Sequence, residues 1–596
     1  MADSPKSDTN GPVKLTIEMD GKAMDETYQL ISVRIEKSVN KIPWVQIEMA
    51  DGDMPKTDFP ISNTDDFKPG ASITIKAGYG QQEDSIFEGL VIGHGIRISR
   101  GNQARLMIEC RDAAVKMTVG RKNANYVDMK DSDILSTIIG GHAGLSSDVT
   151  ATQVQYDELV QFYCTDWDFM LSRAEVNGLL VIVNDGKVTV APPGIDAEAK
   201  LTVAYGSSLI ELEAGMDARS QFASVKGAAW DLQTQKMVEK KSPATALNAQ
   251  GNLSSSDLSG VIGLTDYCLQ TTIPLDQDGL QAWADAQQLK SGLARIRGQM
   301  KFQGSAKVNP GDLVELTGAG DRFNGSVFAA TVTHVIAEGD WTTTVGFGLA
   351  PDWFAEAKDI QAPAAAGLLP GVDGLQIGVV LQIHEDPAGQ YKVKVKVPVL
   401  QAQTQGVWAR LAGSYASTEC GAFFFPEIGD EVVLGYFNND PCHPVILGSL
   451  YSNKIKSPYT PADGNNLKAL VTRGKLKVEL DEEKKIITVV TPGGNQIVLS
   501  DDEKAICLTD QNANKVTLNP DGITLDSPKD IAIKATGKIT LQATGEIDVT
   551  SDADVKVAGL NIENSANAGF TAKGNASAEV SASGQTTVKG AMVMIN

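Results

Sequence analysis

From Ser527 to Ala558 the chain repeats every eight residues: SPKDIAIK, ATGKITLQ, ATGEIDVT, SDADVKVA. The fifth and seventh places hold the sizeable aliphatic side chains, Ile531/Ile533, Ile539/Leu541, Ile547/Val549 and Val555/Val557. Residues two apart point the same way in a strand, so each octad offers one narrow apolar stripe. Two side chains cannot enclose a core, so a repeat of this kind must stack on copies of itself, along one chain or between chains. A single-chain parallel β-helix needs a coil of about 18 to 25 residues, whereas eight residues make one strand and one corner. Three chains wound together complete each layer, with the stripes meeting on the axis. Gly537 and Gly545 fall at the third place, where a tight corner can require a positive φ. Past Asn466 there is no Trp, Tyr or His and a single Phe, Phe570. That suits a prism too thin for rings. Disorder is the other reading of so polar a tract, and the regular aliphatic pairs speak against it. After Ala558 the frame drifts, and less regular but strand-rich structure is expected up to the apolar ending AMVMIN.

The 596 residues exceed what one core serves, so several domains are expected. A net charge of -22 speaks against a nucleic-acid groove as the main function. The opening MADSPKSDTNGPV has no apolar core and does not read as a signal peptide. No run of apolar residues is long enough for a membrane span. Synthesis in the cytoplasm without a signal peptide is therefore expected. The six cysteines are scattered without a CxxC, and the five histidines form no HxH or HExxH, so buried thiols and no zinc site are expected.

Between Val13 and Gly120, segments such as VKLTIEM, ITIKAGYG and ARLMIECRD read as strands separated by glycine turns. Helices are expected at Ser132–Gly140, capped by Asp131 or Ser132, at Ser172–Val176, and at Leu280–Arg297. LLVIVNDGKVTVAPP is a hairpin with an Asn-Asp-Gly turn. EAKDIQAPAAAGLLPGVD and SNKIKSPYTPADGNN read as linkers. His443 in NNDPCHPVILG and His384 beside Glu385 and Asp386 have no partners that would make them catalytic or metal-binding. Phe423 to Phe425 read as a buried strand rather than a stacking platform for bases.

The block QIGVVLQIHEDPAGQYKVKVKVP (376–398), followed by VWARLA and FFPEIGDEVVLGYFNNDPCHPVILGSLYS, resembles the N-terminal OB barrel of VgrG proteins and phage tail spikes. Upstream, Trp167, Phe169, Arg173, Asn177 and Gly178 match the Trp-x-Phe-x-x-x-Arg helix and Asn-Gly hairpin of the hub of those spikes, shared with phage late control D proteins. GDLVELTG and VTHVIAEGDWTTTVGFG fit the hub's second barrel. The resemblance thus runs hub, barrel, needle over nearly the whole chain. KVKVKVPVL departs from secretion-system VgrGs and is closer to spikes of extracellular, phage-tail-like particles. No effector domain is expected after the needle.

The resemblance implies a mainly β fold with some α in the hub: two β-barrel hub subdomains, an OB-fold barrel and a C-terminal intertwined trimeric β-helix. The expected divisions are a flexible tail (1–12), hub (13–354), linker (355–372), OB fold (373–451), linker (452–466) and needle (467–596). The implied function is that of the homotrimeric central spike of a contractile injection system, fitting a hexameric tube to a threefold needle that punctures the target envelope. It would be assembled into an injection particle that is extracellular or delivered through the cell envelope. Ile531, Ile533, Ile539, Leu541, Ile547, Val549, Val555 and Val557 would pack on the axis. By the same resemblance, Met592, Val593, Met594, Ile595 and Asn596 would meet a PAAR-type tip protein. Inner-tube and baseplate proteins would meet the hub, with cargo effectors as further partners and the target membrane met only transiently. No nucleic acid, cofactor, metal or catalytic residue is expected, and the chain is expected not to be an enzyme. A trimeric tail fibre or adhesin binding surface glycans is the alternative, disfavoured by the missing aromatics. An envelope-degrading enzyme lacks both a motif and a domain to host it.

Overall fold

The computed structural model describes residues 3–8, 11–101, 103–232, 234–243, 245–357, 359–400 and 405–595. Met1, Ala2, Thr9 and Asn10 of the expected tail, and Asn596 of the expected tip, lie outside them. The chain is mainly β with some α, and its contacts divide it into two units, Met1–Leu450 and Tyr451–Asn596.

In the first unit, alternating sequences give strands with one buried face each. The first set is β1 (Val13–Met19), β2 (Leu30–Ser38), β3 (Trp44–Ala50), β4 (Ser72–Tyr79), β5 (Gln82–Ser99) and β6 (Gln103–Arg111). The second is β7 (Leu201–Ala204), β8 (Leu209–Met216), β9 (Ile296–Gln303), β10 (Leu313–Thr317), β11 (Gly325–Ala337) and β12 (Asp340–Phe347). With Lys22–Ala23 they form one 13-stranded sheet. The first half is ordered β2-β3-β6-β5-β4-β1 and the second β8-β9-β12-β11-β10-β7, so each strand has a counterpart six labels later. The halves join where β11 pairs antiparallel with β2.

The correspondence reaches single bonds. The amide of Gly70 donates to the carbonyl of Val91, whose amide donates to Ala71. Likewise Gly311 donates to Ala329, whose amide donates to Asp312. Gly70 and Gly311 have φ of +100° and +93°, a conformation that only glycine adopts without strain. A register shift follows in both, between Val91 and Gly93 and between Ala329 and Thr331. The counterparts differ in one pairing: β1 meets β4 antiparallel, whereas β7 meets β10 in parallel. Ile47, Ile75, Phe87 and Ile108 fill one core, and Met300, Phe302, Val345 and Phe347 the other.

Between the halves lie helices α1 (Asp131–Gly140) and α2 (Asp166–Val176), the ribbon of Lys122–Lys130 with Gln155–Cys164, and the hairpin Leu180–Asn184/Lys187–Ala191. The hairpin turn is Asp185-Gly186, both at positive φ, as the Asn-Asp-Gly signal requires. Further on, α3 (Ser255–Ile262) precedes α4 (Gln277–Leu293), which packs on the strands Val225–Asp231 and Lys236–Ser242. Two helix starts were misread. Thr165 caps α2 and Asp276 caps α4 through side-chain oxygens, so the helices begin at Asp166 and Gln277, six and three residues upstream of the expected starts.

A closed five-stranded barrel follows, ordered Gln376–Gln382, Val393–Lys396, Val407–Leu411, Pro444–Ser449, Glu431–Tyr436. Val380, Val393, Val395, Ala409, Val432, Leu434 and Ile446 fill it.

In the second unit, seven strands from Leu467–Val471 to Gly522–Asp526 form an antiparallel meander in sequence order. No strand is formed among the described residues from 527 to 595. The strand-rich stretch expected after Ala558 is not a property of the single chain: a strand needs a neighbour, and a backbone bending every eighth residue offers none within its own copy.

Candidate functional site

The hub signature is a packed network. Trp167 and Phe169, both in the first turn of α2, are buried, and Phe169 stacks on Tyr126. Arg173 donates from Nε and Nη2 to the two oxygens of Asp131 at 2.7 and 2.9 Å, and from Nη2 to the Tyr156 hydroxyl at 2.7 Å. Asn177 donates to Asp131 Oδ2 at 2.8 Å, and Gly178 turns the chain at φ +67° into the hairpin. Burial pushes the Tyr156 hydroxyl up to about 12, so it stays neutral beside the guanidinium. Asp131 is therefore not a helix cap. The N-cap of α1 is Lys130, and the Asp131 carboxylate, fully buried, is spent on Arg173 and Asn177. The sequence motif carried five of these residues, Trp167, Phe169, Arg173, Asn177 and Gly178, but gave no sign that Asp131 and Tyr156 would be the partners of Arg173, since they arrive from other elements.

The titratable clusters are pairs and triplets of structural character. His142 Nε2 and Lys122 Nζ share Asp166 Oδ2 at 2.7 and 2.5 Å. His443 lies 3.0 Å from Asp440, and the exposed His384 lies 3.6 Å from Glu385. Asp386 instead accepts the backbone amides of Ala388, Gln390 and Lys392, fixing the hairpin turn of the barrel. Among the described residues no three His, Cys, Asp or Glu side chains converge as metal ligands. Phe423 and Phe424 are exposed, contrary to the buried strand expected. Only Phe425 packs on the barrel core, because residues 422–430 form no strand that would alternate the rings inward.

The second unit has an apolar face and nothing over it. Cross-strand pairs Leu480↔Ile487, Ile487↔Leu499, Leu499↔Ile506 and Ile506↔Leu518 line up in one column. Val478, Val489, Ile497, Leu508, Val516 and Leu525 line up in the next. From Val478 to Leu508 these residues are 38–41% exposed, more open than the Thr488, Val498 and Cys507 of the opposite face.

Beyond Asp526 the backbone bends at 528–529, 536–537, 544–545, 552–553 and 560–561, then at 567–568, 575–576, 583–584 and 591–592. The period is eight with one step of seven. The frame therefore does not dissolve after Ala558. It slips by one residue and runs on, with Ile562 and Phe570 in the places earlier held by Val555 and its predecessors. The fifth-place residues Ile531, Ile539, Ile547 and Val555 are 50–56% exposed, and the seventh-place Ile533, Leu541, Val549 and Val557 are 67–75% exposed. So strict a repeat of exposure means each octad holds the same conformation. Met592, Val593, Met594 and Ile595 are exposed at the end of this tract.

Residues 9–338 match the family model of the Alg8 N-terminal domain, and residues 376–451 match that of the type VI secretion system/phage-baseplate injector OB domain. The type VI secretion system spike protein VgrG1b of Pseudomonas aeruginosa is 24% identical over 258 residues, 40% of this chain and 34% of that one. Spike protein VgrG3 of Vibrio cholerae is 30% identical over 101 residues, 16% of this chain and 10% of that one. The matched part thus spans about a third or less of these relatives' length. Among solved structures, the 43 kDa tail protein of prophage MuSo2 from Shewanella oneidensis has 11% identity and a TM-score of 0.44, covering 57% of this chain and 99% of that one. The Francisella PdpA-VgrG complex has 9% identity and a TM-score of 0.37, covering 86% and 88%. The expectation that the chain is not an enzyme does not survive the first family match. The match of residues 9–338 to the Alg8 N-terminal domain overturns it, and the non-enzyme classification is withdrawn. The chain belongs to the family of the Alg8 N-terminal domain, and over shorter stretches it is similar to the phage-baseplate injector OB domain and to VgrG spike proteins.

Proposed function

We propose that three copies of this chain form the central spike of a contractile injection system. The observation that carries the reading is the uncovered aliphatic face running from the meander into the octads. Two columns of Leu, Ile and Val left open to water cost about 25 cal/mol per Å² of apolar surface, and a threefold prism closes them on one another. Residues 13–354 form the hub, with the two matching halves of one continuous sheet in place of the two separate barrels expected, so that three copies offer six similar faces to a hexameric tube. The linker 355–372 leads to the OB collar at 373–451, and the linker 452–466 to the needle at 467–596. The tip at Met592–Ile595 receives a PAAR-type protein. Sheath contraction drives the needle through the target envelope, and cargo rides with the spike. Closed sheets with no free edge give the stiffness that a puncturing part requires.

Amide hydrogen exchange on the purified chain tests this reading. In one copy, residues 527–595 make no strand ladder, and their amides should exchange at free-peptide rates. Wound in threes they are protected by orders of magnitude. Free-peptide exchange across Ile531–Val557 would contradict the proposal.

A further inference from the structure

The two halves of the hub sheet differ at one edge. In β11, residues Thr331–Ala337 pair on both sides: with β12, and with β2 through Thr331↔Ser38, Val335↔Arg34 and Ala337↔Ser32. Their counterparts in β5, Gly93–Ser99, pair with β6 alone, because β4 leaves β5 at Leu90. The exposures record the missing neighbour. Ile96 and Ile98 are 52% and 65% exposed, while His334 and Ile336 in the same places of β11 are 3% and 6% exposed. β8, the counterpart of β2, ends the sheet with only β9 beside it. Each copy thus carries a β11-like edge lacking its β2, and a β2-like edge lacking its β11.

We propose that copies of the chain join by pairing β5 of one copy with β8 of the next, repeating the joint that β11 and β2 make within the chain. Matching register shifts, Leu30/Ser32 in β2 and Leu209/Glu211 in β8, fix which residues correspond. The transferred register sets Gly95 opposite Gly215, Arg97 opposite Glu213, and Ser99 opposite Glu211. The charges agree with it. Residues 89–108 contain Arg97, Arg100 and Arg105 and no acid, in a chain of net charge -22. Residues 209–217 contain Glu211, Glu213 and Asp217 and no base. Within its own copy Arg97 sits opposite Arg105, which is paired with Glu48 at 2.8 Å. Like charges across a strand pair are unfavourable, and among the described residues Arg97 has no acidic partner of its own. An acid on the open edge relieves this. Such a contact is heterologous and closes a ring only if its rotation does. A joint that copies the internal one makes six near-equivalent halves from three chains. The joint rests on the three-copy reading above.

Cysteine pairs test it in the full chain, with Cys268, Cys420 and Cys442, which are exposed where buried thiols were expected, replaced by Ser. Opposed residues on antiparallel strands lie about 4.5–5.5 Å apart at Cα, within disulfide reach. Arg97→Cys with Glu213→Cys, and separately Ser99→Cys with Glu211→Cys, should give covalent dimers and closed trimers on oxidation. Each single variant, and Arg97→Cys with Leu212→Cys, whose side chains face opposite sides of the sheet, should stay unlinked. Native mass is read on the same samples. A trimer in which neither pair links overturns the β5–β8 joint and leaves the three-copy reading standing. A monomer overturns both. Covalent ladders longer than three overturn ring closure.

Discussion

The hub and the needle use the same aliphatic residues and treat them oppositely. Ile47, Ile75 and Ile108 in the hub are buried by their own chain, while Ile487, Ile497 and Ile539 in the second unit stand open. The difference lies in what surrounds them. Each hub strand has one face buried by its own chain, with Phe67, Phe87, Phe302 and Phe347 filling the space. Among its described residues the second unit has no helix to lay over its sheet, and past Asn466 it has a single aromatic ring, Phe570. One region carries its own core. The other carries one wall of a core and depends on copies for the rest.

Four expected outcomes break or sharpen this contrast, from the largest effect down. Ile539→Asp with Ile547→Asp should abolish needle association outright, since each would place three carboxylates together on a dry axis at a cost of several kcal/mol apiece. The hub should still melt as a folded unit, and loss of hub structure by circular dichroism would show that the two regions are not independent. Arg173→Ala should destabilise the hub by about 3–5 kcal/mol in urea unfolding, because it strands the Asp131 carboxylate inside the protein. Needle exchange protection should not change.

Third comes pH. Burial, with the nearby Lys37 ammonium adding to it, pushes buried His334 down to about 3. Unfolding releases His334 to an ordinary value near 6.5, so the unfolded state binds more protons between those limits. The stability this confers is fully present above about pH 6.5 and is lost as pH falls towards 3, at up to about 1.4 kcal/mol per pH unit. His334→Leu should flatten that slope in hub unfolding, and an unchanged slope would remove His334 from the explanation. The needle, without a single His, has no such source of slope near neutrality. Smallest, Phe423→Ala should change hub and barrel stability by no more than about 0.5 kcal/mol, because the ring is exposed.

Much of the fold was legible where local chemistry and tertiary structure agree. The Asn-Asp-Gly hairpin, the five-stranded barrel and the octad frame all stand where the sequence put them. Helix starts were not, since Asp166, Trp167 and Phe169 carry weak helix propensity and are held by the Thr165 cap and core packing. Asp131 looked like a cap because a free helix would use it so, and only the folded chain brings Arg173 to it. The hub duplication was implied only by the family resemblance and not by the residues themselves, because the halves share little beyond PGASITI and PGDLVEL, 69–75 and 310–316. What repeats is the bond pattern around one glycine and the places of two bulges. The slip near Ile562 was hidden for a related reason, since Ala, Thr and Asn replace the aliphatic markers beyond it.

The most direct test of the needle as a shared core is native mass with and without residues 467–596. One chain weighs 63.2 kDa, and three weigh roughly 190 kDa under threefold closure. A full-length trimer that falls to monomers or loosely associated hubs after truncation is the predicted result. A full-length monomer would contradict it, leaving the aliphatic face of the second unit without a partner.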